Sequence, residues 1–101
     1  MRATILARAS RVLQTPTFRK AVKKLKPNQK KELDAAVKEL MAKPSLGEQK
    51  KGDLAFLRVY KFKMNKQLTL LGYSFDDGTL TLELMALGSH ENFYRDIKRR
   101  T

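Results

Sequence analysis

The chain has 101 residues, including 22 Lys or Arg, 10 Asp or Glu, one His and no Cys. Its net charge of +12 indicates a polyanionic partner, and the lack of Cys excludes disulfides, a Cys nucleophile and Cys-ligated metal sites. A single His argues against a His-rich metal centre, so we expect no metal and no cofactor. The length suits one hydrophobic core, and no apolar run reaches the ~18 residues of a membrane span. We therefore expect one cytoplasmic domain over residues 11–101, preceded by a flexible N-terminal extension over residues 1–10.

The first half of the chain carries the predicted helices. Residues 11–14 suit a short strand, and Thr15-Pro16 reads as an N-cap followed by Pro at the first helical position. Two runs of apolar residues at helical spacing follow, and they predict an antiparallel helical hairpin that ends before Pro44. The first run is Phe18, Ala21, Val22 and Leu25, and the second is Leu33, Ala36, Val37, Leu40 and Met41. Residues 44–53 are predicted to form a polar loop.

The second half carries the predicted sheet. From Ala55 the apolar period changes to two, and turn signals at 65–66 and 76–78 divide the segment into a three-stranded antiparallel meander. Strands are expected over 67–75 and 79–87, and the alternation places Leu80, Leu82, Leu84 and Ala86 on a core face. The hairpin is the layer that covers this face. A last helix is expected to start at Ser89 and to dock through Phe93 and Ile97.

Four segments of the chain resemble the RelE/ParE superfamily of bacterial type II toxins: TPTFRKAVKKL, GEQKKGDL, VYKFKM and LGSHENFYRDIKR. The resemblance covers about residues 11–100. It implies an α+β fold with a short N-terminal strand, an antiparallel helical hairpin packed on an antiparallel β-sheet, and a short C-terminal helix. It also implies a toxin that a cognate antitoxin silences in a hetero-oligomer.

Two activities occur on this fold, so the fold alone does not choose between them. RelE-like members cut mRNA in the ribosomal A site without a metal, and ParE-like members poison DNA gyrase. The favoured reading is a metal-independent, ribosome-associated mRNA endonuclease that inhibits translation and growth. The alternatives are a gyrase inhibitor without nuclease activity and a non-toxic basic RNA-binding protein.

Four residues are the main candidates for RNA cleavage. Lys61 and Lys63 stand two residues apart on a strand, which puts their side chains on one face about 7 Å apart, a spacing that suits one phosphate. Tyr-Lys-x-Lys at 60–63 also resembles the RelE strand that carries two essential lysines. His90 belongs to the residue type that transfers protons near neutral pH, and Gly-Ser-His at 88–90 resembles the ending of YafQ-like RNases. Tyr94 shares a helical face with His90 and resembles the C-terminal Tyr that stacks on a base in RelE.

One departure from the family pattern concerns arginine. The RNase members usually carry an Arg inside the sheet to stabilise the phosphorane, but residues 67–87 contain none. Arg58 and Arg95 are the candidate substitutes, although strand alternation places Arg58 on the face opposite Lys61. This gap favours the gyrase inhibitor as the main alternative.

The helical half carries a dense basic patch. Seven positive residues and no acidic one occupy positions 19–31, a pattern that suits phosphate contacts to ribosomal RNA and attraction of an acidic antitoxin segment. A merely solvated helical face is the plain alternative for any single member. The patch comprises Arg19, Lys20, Lys23, Lys24, Lys26, Lys30 and Lys31.

Overall fold

The computed structural model describes residues 9–90, 93–95 and 97, which form helices packed on a five-stranded sheet. In chain order the elements are β1 (Arg11–Gln14), α1 (Pro16–Lys23), α2 (Pro27–Ala42), β2 (Glu48–Gln49), β3 (Arg58–Met64), β4 (Gln67–Asp76) and β5 (Thr81–Gly88). Short 3-10 turns cover Pro44–Leu46 and Gly52–Leu54, and residues 90, 93–95 and 97 are helical and are called the C-terminal helix below. The predicted α+β class is confirmed.

The start of α1 follows from its capping residues. Thr15 adopts an extended conformation, and its hydroxyl accepts a hydrogen bond from the Phe18 N–H at 3.2 Å. The same hydroxyl donates to the carbonyl of Met85 at 3.0 Å, so the cap also ties α1 to β5. Pro27 likewise occupies the first turn of α2. A backbone N–H at this position has no partner within the helix, so its absence in Pro27 costs no hydrogen bond.

The sheet has two different faces. On the first, here called the hairpin face, Phe18, Leu33 and Leu40 of the two helices pack against Leu71 and Tyr73 of β4. The second face carries Lys61 and Lys63 and is here called the lysine face. Phe93 and Ile97 of the C-terminal helix are buried on it in a smaller cluster with Leu57, Val59, Leu70, Met85 and Ala86. The predicted docking of this helix through Phe93 and Ile97 is confirmed.

The sheet is larger than the predicted meander. The order is β1-β5-β4-β3-β2, with β1 parallel to β5 and every other pair antiparallel. The predicted polar loop therefore contains a strand, because Glu48 and Gln49 pair with Val59 and Arg58. Neither the parallel pairing of β1 nor the two-residue β2 leaves a periodic signal, because both depend on partners distant in sequence.

The prediction that Leu80 and Ala86 share the core face of β5 with Leu82 and Leu84 was wrong. The register with β4 shifts between Gly72 and Tyr73, which leaves Met85 as an extra residue in β5. Beyond this bulge Ala86 lies on the lysine face instead of joining Leu82 and Leu84 on the hairpin face. Leu80 precedes the strand in the turn, with a φ of 53°.

The chain is already packed before β1. Ala9 is buried in the hairpin-face core, and its N–H donates to the Met41 carbonyl at 2.9 Å. The Ser10 N–H donates a hydrogen bond to the Leu80 carbonyl at 2.8 Å. Residues 1–8 of the expected extension lie outside the described residues. Within the part of the chain that the structure describes, none of the helices has the length and apolar character needed to cross a membrane.

Candidate functional site

Lys61 and Lys63 are exposed on the lysine face. They alternate along β3 with Tyr60 and Phe62, which pack against the hairpin-face core, so burial of the aromatic residues directs both lysines to the other side. Lys61 pairs with Leu70 in β4, and Leu70 pairs with Gly88 in β5. The three residues form one row across the sheet, in which Lys61 and Gly88 are separated by two strand spacings, about 10 Å.

His90 and Tyr94 follow Gly88, the last residue of that row, in the chain. The chain leaves β5 at Gly88 and turns into the C-terminal helix, where the Phe93 N–H donates to the Ser89 carbonyl at 2.8 Å. His90 is exposed, Tyr94 is half-buried, and their ring centroids are 5.0 Å apart. The contact agrees with the shared helical face predicted from their spacing. These residues therefore lie on the same side of the sheet as the lysine pair.

Gly72 allows the C-terminal helix to lie close to the sheet. A Cβ atom built at this position would meet Cζ of Phe93 at 2.5 Å and Cδ1 of Leu57 at 3.2 Å. Such an approach is too short for two carbon atoms, so the phenyl ring occupies space that any other residue would fill. The missing side chain of Gly72 thus allows the helix that carries Phe93 and Tyr94 to lie close to the sheet.

Sequence reasoning missed Lys50 as a member of this site. Its Nζ lies 3.3 Å from Oε1 of Glu48 and 5.8 Å from the centroid of the Tyr94 ring. Hydrogen bonding with Tyr94 is the largest cause that raises the pKa of Lys50, and Glu48 adds to it while partial burial opposes it. The GEQKKGDL segment contributed to the resemblance, but nothing in it indicates a contact with the C-terminal helix.

The loop that carries Lys50 is held from the hairpin face. The Tyr73 hydroxyl donates to the Pro44 carbonyl at 2.7 Å and accepts from the Gly47 N–H at 2.8 Å. Burial raises the pKa of Tyr73, against the opposing effects of Gly47 and Arg58. Nη1 of Arg58 donates to the Gly47 carbonyl at 2.7 Å and to Ser45 at 3.3 Å. A buried phenol and a guanidinium thus fix the chain just before Lys50.

The two candidate arginines lie in different places. Arg58 pairs with Tyr73 on the hairpin face, so the sheet separates its guanidinium from Lys61, as strict alternation requires. Arg95 is exposed on the C-terminal helix. The position opposite Lys63 in β4 is taken by Leu68, which is 55% exposed and lies on the lysine face. Leu68 was not identified from the sequence as an exposed apolar residue of this face.

The predicted basic patch is exposed on the helices. It lies on α1, on the connection over 24–26 and on the first turns of α2, and the helices cover the hairpin face. All seven members are exposed: Arg19, Lys20, Lys23, Lys24, Lys26, Lys30 and Lys31. The patch and the lysine pair are therefore separate positive surfaces. Among the described residues, no group of three or more His, Asp or Glu is placed to hold a metal ion.

Solved structures that are similar to this chain include a toxin alone and toxin-antitoxin complexes. A variant of E. coli RelE in the free state superposes with a TM-score of 0.69 at 19% identity, covering 91% of this chain and 97% of that one. A chain of the intact E. coli RelBE toxin-antitoxin complex gives a TM-score of 0.65 at 18% identity, covering 80% of this chain and 96% of that one. The RelBE2 toxin-antitoxin complex from Mycobacterium tuberculosis gives 0.62 at 21% identity, covering 88% and 98%.

A match to a protein family agrees with these superpositions. No curated protein sequence matches the chain. Residues 12–98, which run from β1 through the C-terminal helix, match the family described as ParE-like toxin of type II bacterial toxin-antitoxin system. The chain therefore belongs to the ParE-like toxins of bacterial type II toxin-antitoxin systems.

Proposed function

We propose that this toxin is a cytoplasmic endoribonuclease that cuts mRNA on the ribosome and does so with its lysine face. The observation that carries the proposal is the exposure of Lys61 and Lys63 on the sheet face to which the helix of His90 docks. Two cations can bind a scissile phosphate there, and a histidine side chain for proton transfer lies on the same side. No metal is needed for such a site.

The proposed reaction is an internal transesterification of RNA. The 2′ oxygen attacks the adjacent phosphorus as its proton is removed, and the bond from phosphorus to the 5′ oxygen breaks as that oxygen gains a proton. The products are a 2′,3′-cyclic phosphate, which water can open to a 3′-phosphate, and a 5′-hydroxyl end. Charge accumulates on the non-bridging oxygens in the transition state, which is where positive groups stabilise most.

Each proposed role follows from the position of the side chain. Lys61 and Lys63 stabilise the phosphorane, and His90 serves as general acid or base. Arg95 is exposed on the same helix and supplies further positive charge toward the RNA. Tyr94 belongs to the site through its contact with His90. Arg58 has no part in the proposed reaction, because its guanidinium is bound to loop carbonyls behind the sheet.

The basic patch is proposed to bind the ribosome and to attract the antitoxin. Lys23 and Lys24, like the other members, are exposed and can contact phosphates without reading bases. An acidic antitoxin segment would be drawn to the same positive charge. The solved toxin-antitoxin complexes of this fold support a cognate antitoxin as the partner, in a hetero-oligomer.

Inhibition of DNA gyrase is the second candidate function. One observation favours it: the described residues of β4 and β5 include no Arg, and Arg58 faces away from the lysine pair. A gyrase inhibitor needs a binding surface but no proton transfer, so it would not require His90. Because the chain belongs to a toxin family, the alternative hypothesis of a non-toxic RNA-binding protein is rejected.

The deciding experiment induces the chain in bacteria and follows amino-acid incorporation and plasmid supercoiling in parallel. We expect incorporation to stop first, with new mRNA ends that carry a 2′,3′-cyclic or 3′-phosphate. The variant Lys61→Ala with His90→Ala should restore incorporation, whereas the control Lys38→Ala, an exposed lysine of α2, should not. Loss of supercoiling before any fall in incorporation would identify the gyrase inhibitor instead.

A further inference from the structure

Three side chains border the ring of Tyr94. The Lys50 ammonium lies 5.8 Å from the ring centroid, the His90 ring is tilted by 59° at 5.0 Å, and the Phe93 ring stands at 86° and 5.0 Å. Phe93 is fully buried, so it holds the base of the cluster against the sheet. Tyr94 thus links the ammonium of Lys50, in the loop between β2 and β3, to His90 at the start of the C-terminal helix.

Lys50 is fixed at its backbone and at its charged end. Its N–H donates to the Leu57 carbonyl at 2.9 Å, and its Nζ lies 3.3 Å from the Glu48 carboxylate. The loop before it is held by the Tyr73 hydroxyl. An ammonium held in this way can restrict the ring beside it, because moving Tyr94 would break the cation–π contact.

We propose that Lys50 is a positioning residue that acts on His90 through Tyr94, so that Tyr94 aligns the histidine for proton transfer. The inference rests on the proposed ribonuclease function. It gives Tyr94 a different part from the base stacking that the family resemblance implies. It also makes the loop before β3 a component of the active site.

The chemistry of Lys50 fits positioning rather than proton transfer. Its pKa is raised above an ordinary value that already lies well above neutral, chiefly by hydrogen bonding with Tyr94. The ammonium therefore keeps its proton at neutral pH and cannot act as a base. A misplacement of His90 of about 1 Å would reduce cleavage on the order of 100-fold.

The first test observes His90 directly and needs no RNA. The chain contains one His, so its imidazole Cε1–H gives a single histidine resonance of this kind in the proton NMR spectrum. Lys50→Met, which keeps the length of the side chain and removes the charge, should shift this resonance. Lys51→Met changes the neighbouring exposed lysine and should leave it in place. Lys50→Arg keeps a cation beside Tyr94 and should largely retain the wild-type shift.

The second test measures cleavage kinetics. Lys50→Met should lower kcat about 10- to 100-fold with little change in KM, and Lys51→Met should change neither. In a His90→Ala background, Lys50→Met should cause no further loss, because the residue that it aligns is gone. An equal loss in both backgrounds would overturn the proposal, as would a His90 resonance and kcat that Lys50→Met leaves unchanged. Absence of cleavage by the unaltered chain would instead overturn the proposed function.

Discussion

The two faces of the sheet differ in what their side chains do. On the hairpin face, buried apolar side chains meet the helices, and the polar groups of Tyr73 and Arg58 are hydrogen-bonded to loop backbone. On the lysine face, a small apolar cluster beneath Phe93 gives way to the exposed Lys61 and Lys63. Both faces use the same strand, β3, whose alternate residues serve stability on one side and the proposed chemistry on the other. The difference between the faces predicts that substitutions on one side of β3 alter function with little effect on folding.

The strongest test of this division removes the lysine pair. Lys61→Ala with Lys63→Ala should reduce RNA cleavage by about 10³-fold or more, since both cations are proposed to stabilise the charge of the transition state. The free energy of unfolding should change by less than about 1 kcal/mol, because both side chains are exposed. Cleavage assays and denaturant unfolding measure the two effects.

The matched control for that test is Lys38→Ala with Lys43→Ala, which removes two exposed charges near α2. It should retain cleavage within a few-fold. Equal loss in both double variants would mean that total charge, and not the position of the lysines, controls activity.

The next test disturbs the docking of the C-terminal helix. In Gly72→Ala the new methyl group would collide with Phe93, so we expect a loss of about 1–3 kcal/mol in stability and a 10- to 100-fold fall in cleavage. Thermal unfolding and cleavage rates are the measurements. Gly78→Ala is the control, because its Cβ meets only Asp76 Oδ1 at 3.3 Å in an exposed turn. Wild-type behaviour of Gly72→Ala would show that the helix does not need its close approach.

A third test addresses the hairpin face through Tyr73. Tyr73→Phe removes the hydroxyl from two buried hydrogen bonds and should cost about 1–3 kcal/mol of stability. Tyr60→Phe, which loses one exposed hydrogen bond to Glu39, should cost less. Urea unfolding at neutral pH compares the two variants, and equal losses would contradict the distinction between buried and exposed sites.

The ionisation of Tyr73 gives that test a pH dependence. Burial raises the folded-state pKa of Tyr73 above its ordinary value near 10. The contribution of Tyr73 to the free energy of unfolding is therefore complete below about pH 10, and it falls as the pH rises through the folded-state pKa. Wild-type stability should therefore decline in alkali, and the decline should be smaller in Tyr73→Phe. An identical alkaline decline in both proteins would show that another group causes it.

The smallest effect is expected from the basic patch. Lys23→Gln with Lys24→Gln should make the salt dependence of RNA binding less steep, by about 0.7–0.9 in the log–log slope for each phosphate that the variant no longer neutralises. Cleavage at saturating RNA should be unchanged, since both residues lie on the helical side. A slope equal to that of the unaltered protein would remove these residues from the RNA interface.

Local signals predicted much of the fold. Thr15-Pro16 marks a real cap, and the apolar periods predicted α1, α2 and the three central strands. Two of the misses depend on distant partners: β2 exists because it pairs with β3, and the bulge at Met85 reverses the side that Ala86 faces. No periodicity within a segment records such pairings. The third miss is local, because Leu80 lies in the turn before β5.

The same rule separates the parts of the candidate site. Alternation is enough to put Lys61 and Lys63 on one face, and a spacing of four residues is enough to bring His90 to Tyr94. Lys50 reaches Tyr94 from a loop 44 residues earlier in the chain, so only the folded structure shows the contact. Its role, like that of the other site residues, is a prediction for the experiments above.

The pairing of the first strand with the last has a consequence for synthesis of the toxin. The Thr15 hydroxyl bonds to Met85, 70 residues later, and β1 lies beside β5. A contact between residues so distant in sequence forms late, since the loop between them must close first. The sheet therefore cannot be completed until β5 has left the ribosome. A nascent chain that stops short of β5 therefore lacks the strand that lies between β1 and β4 in the sheet.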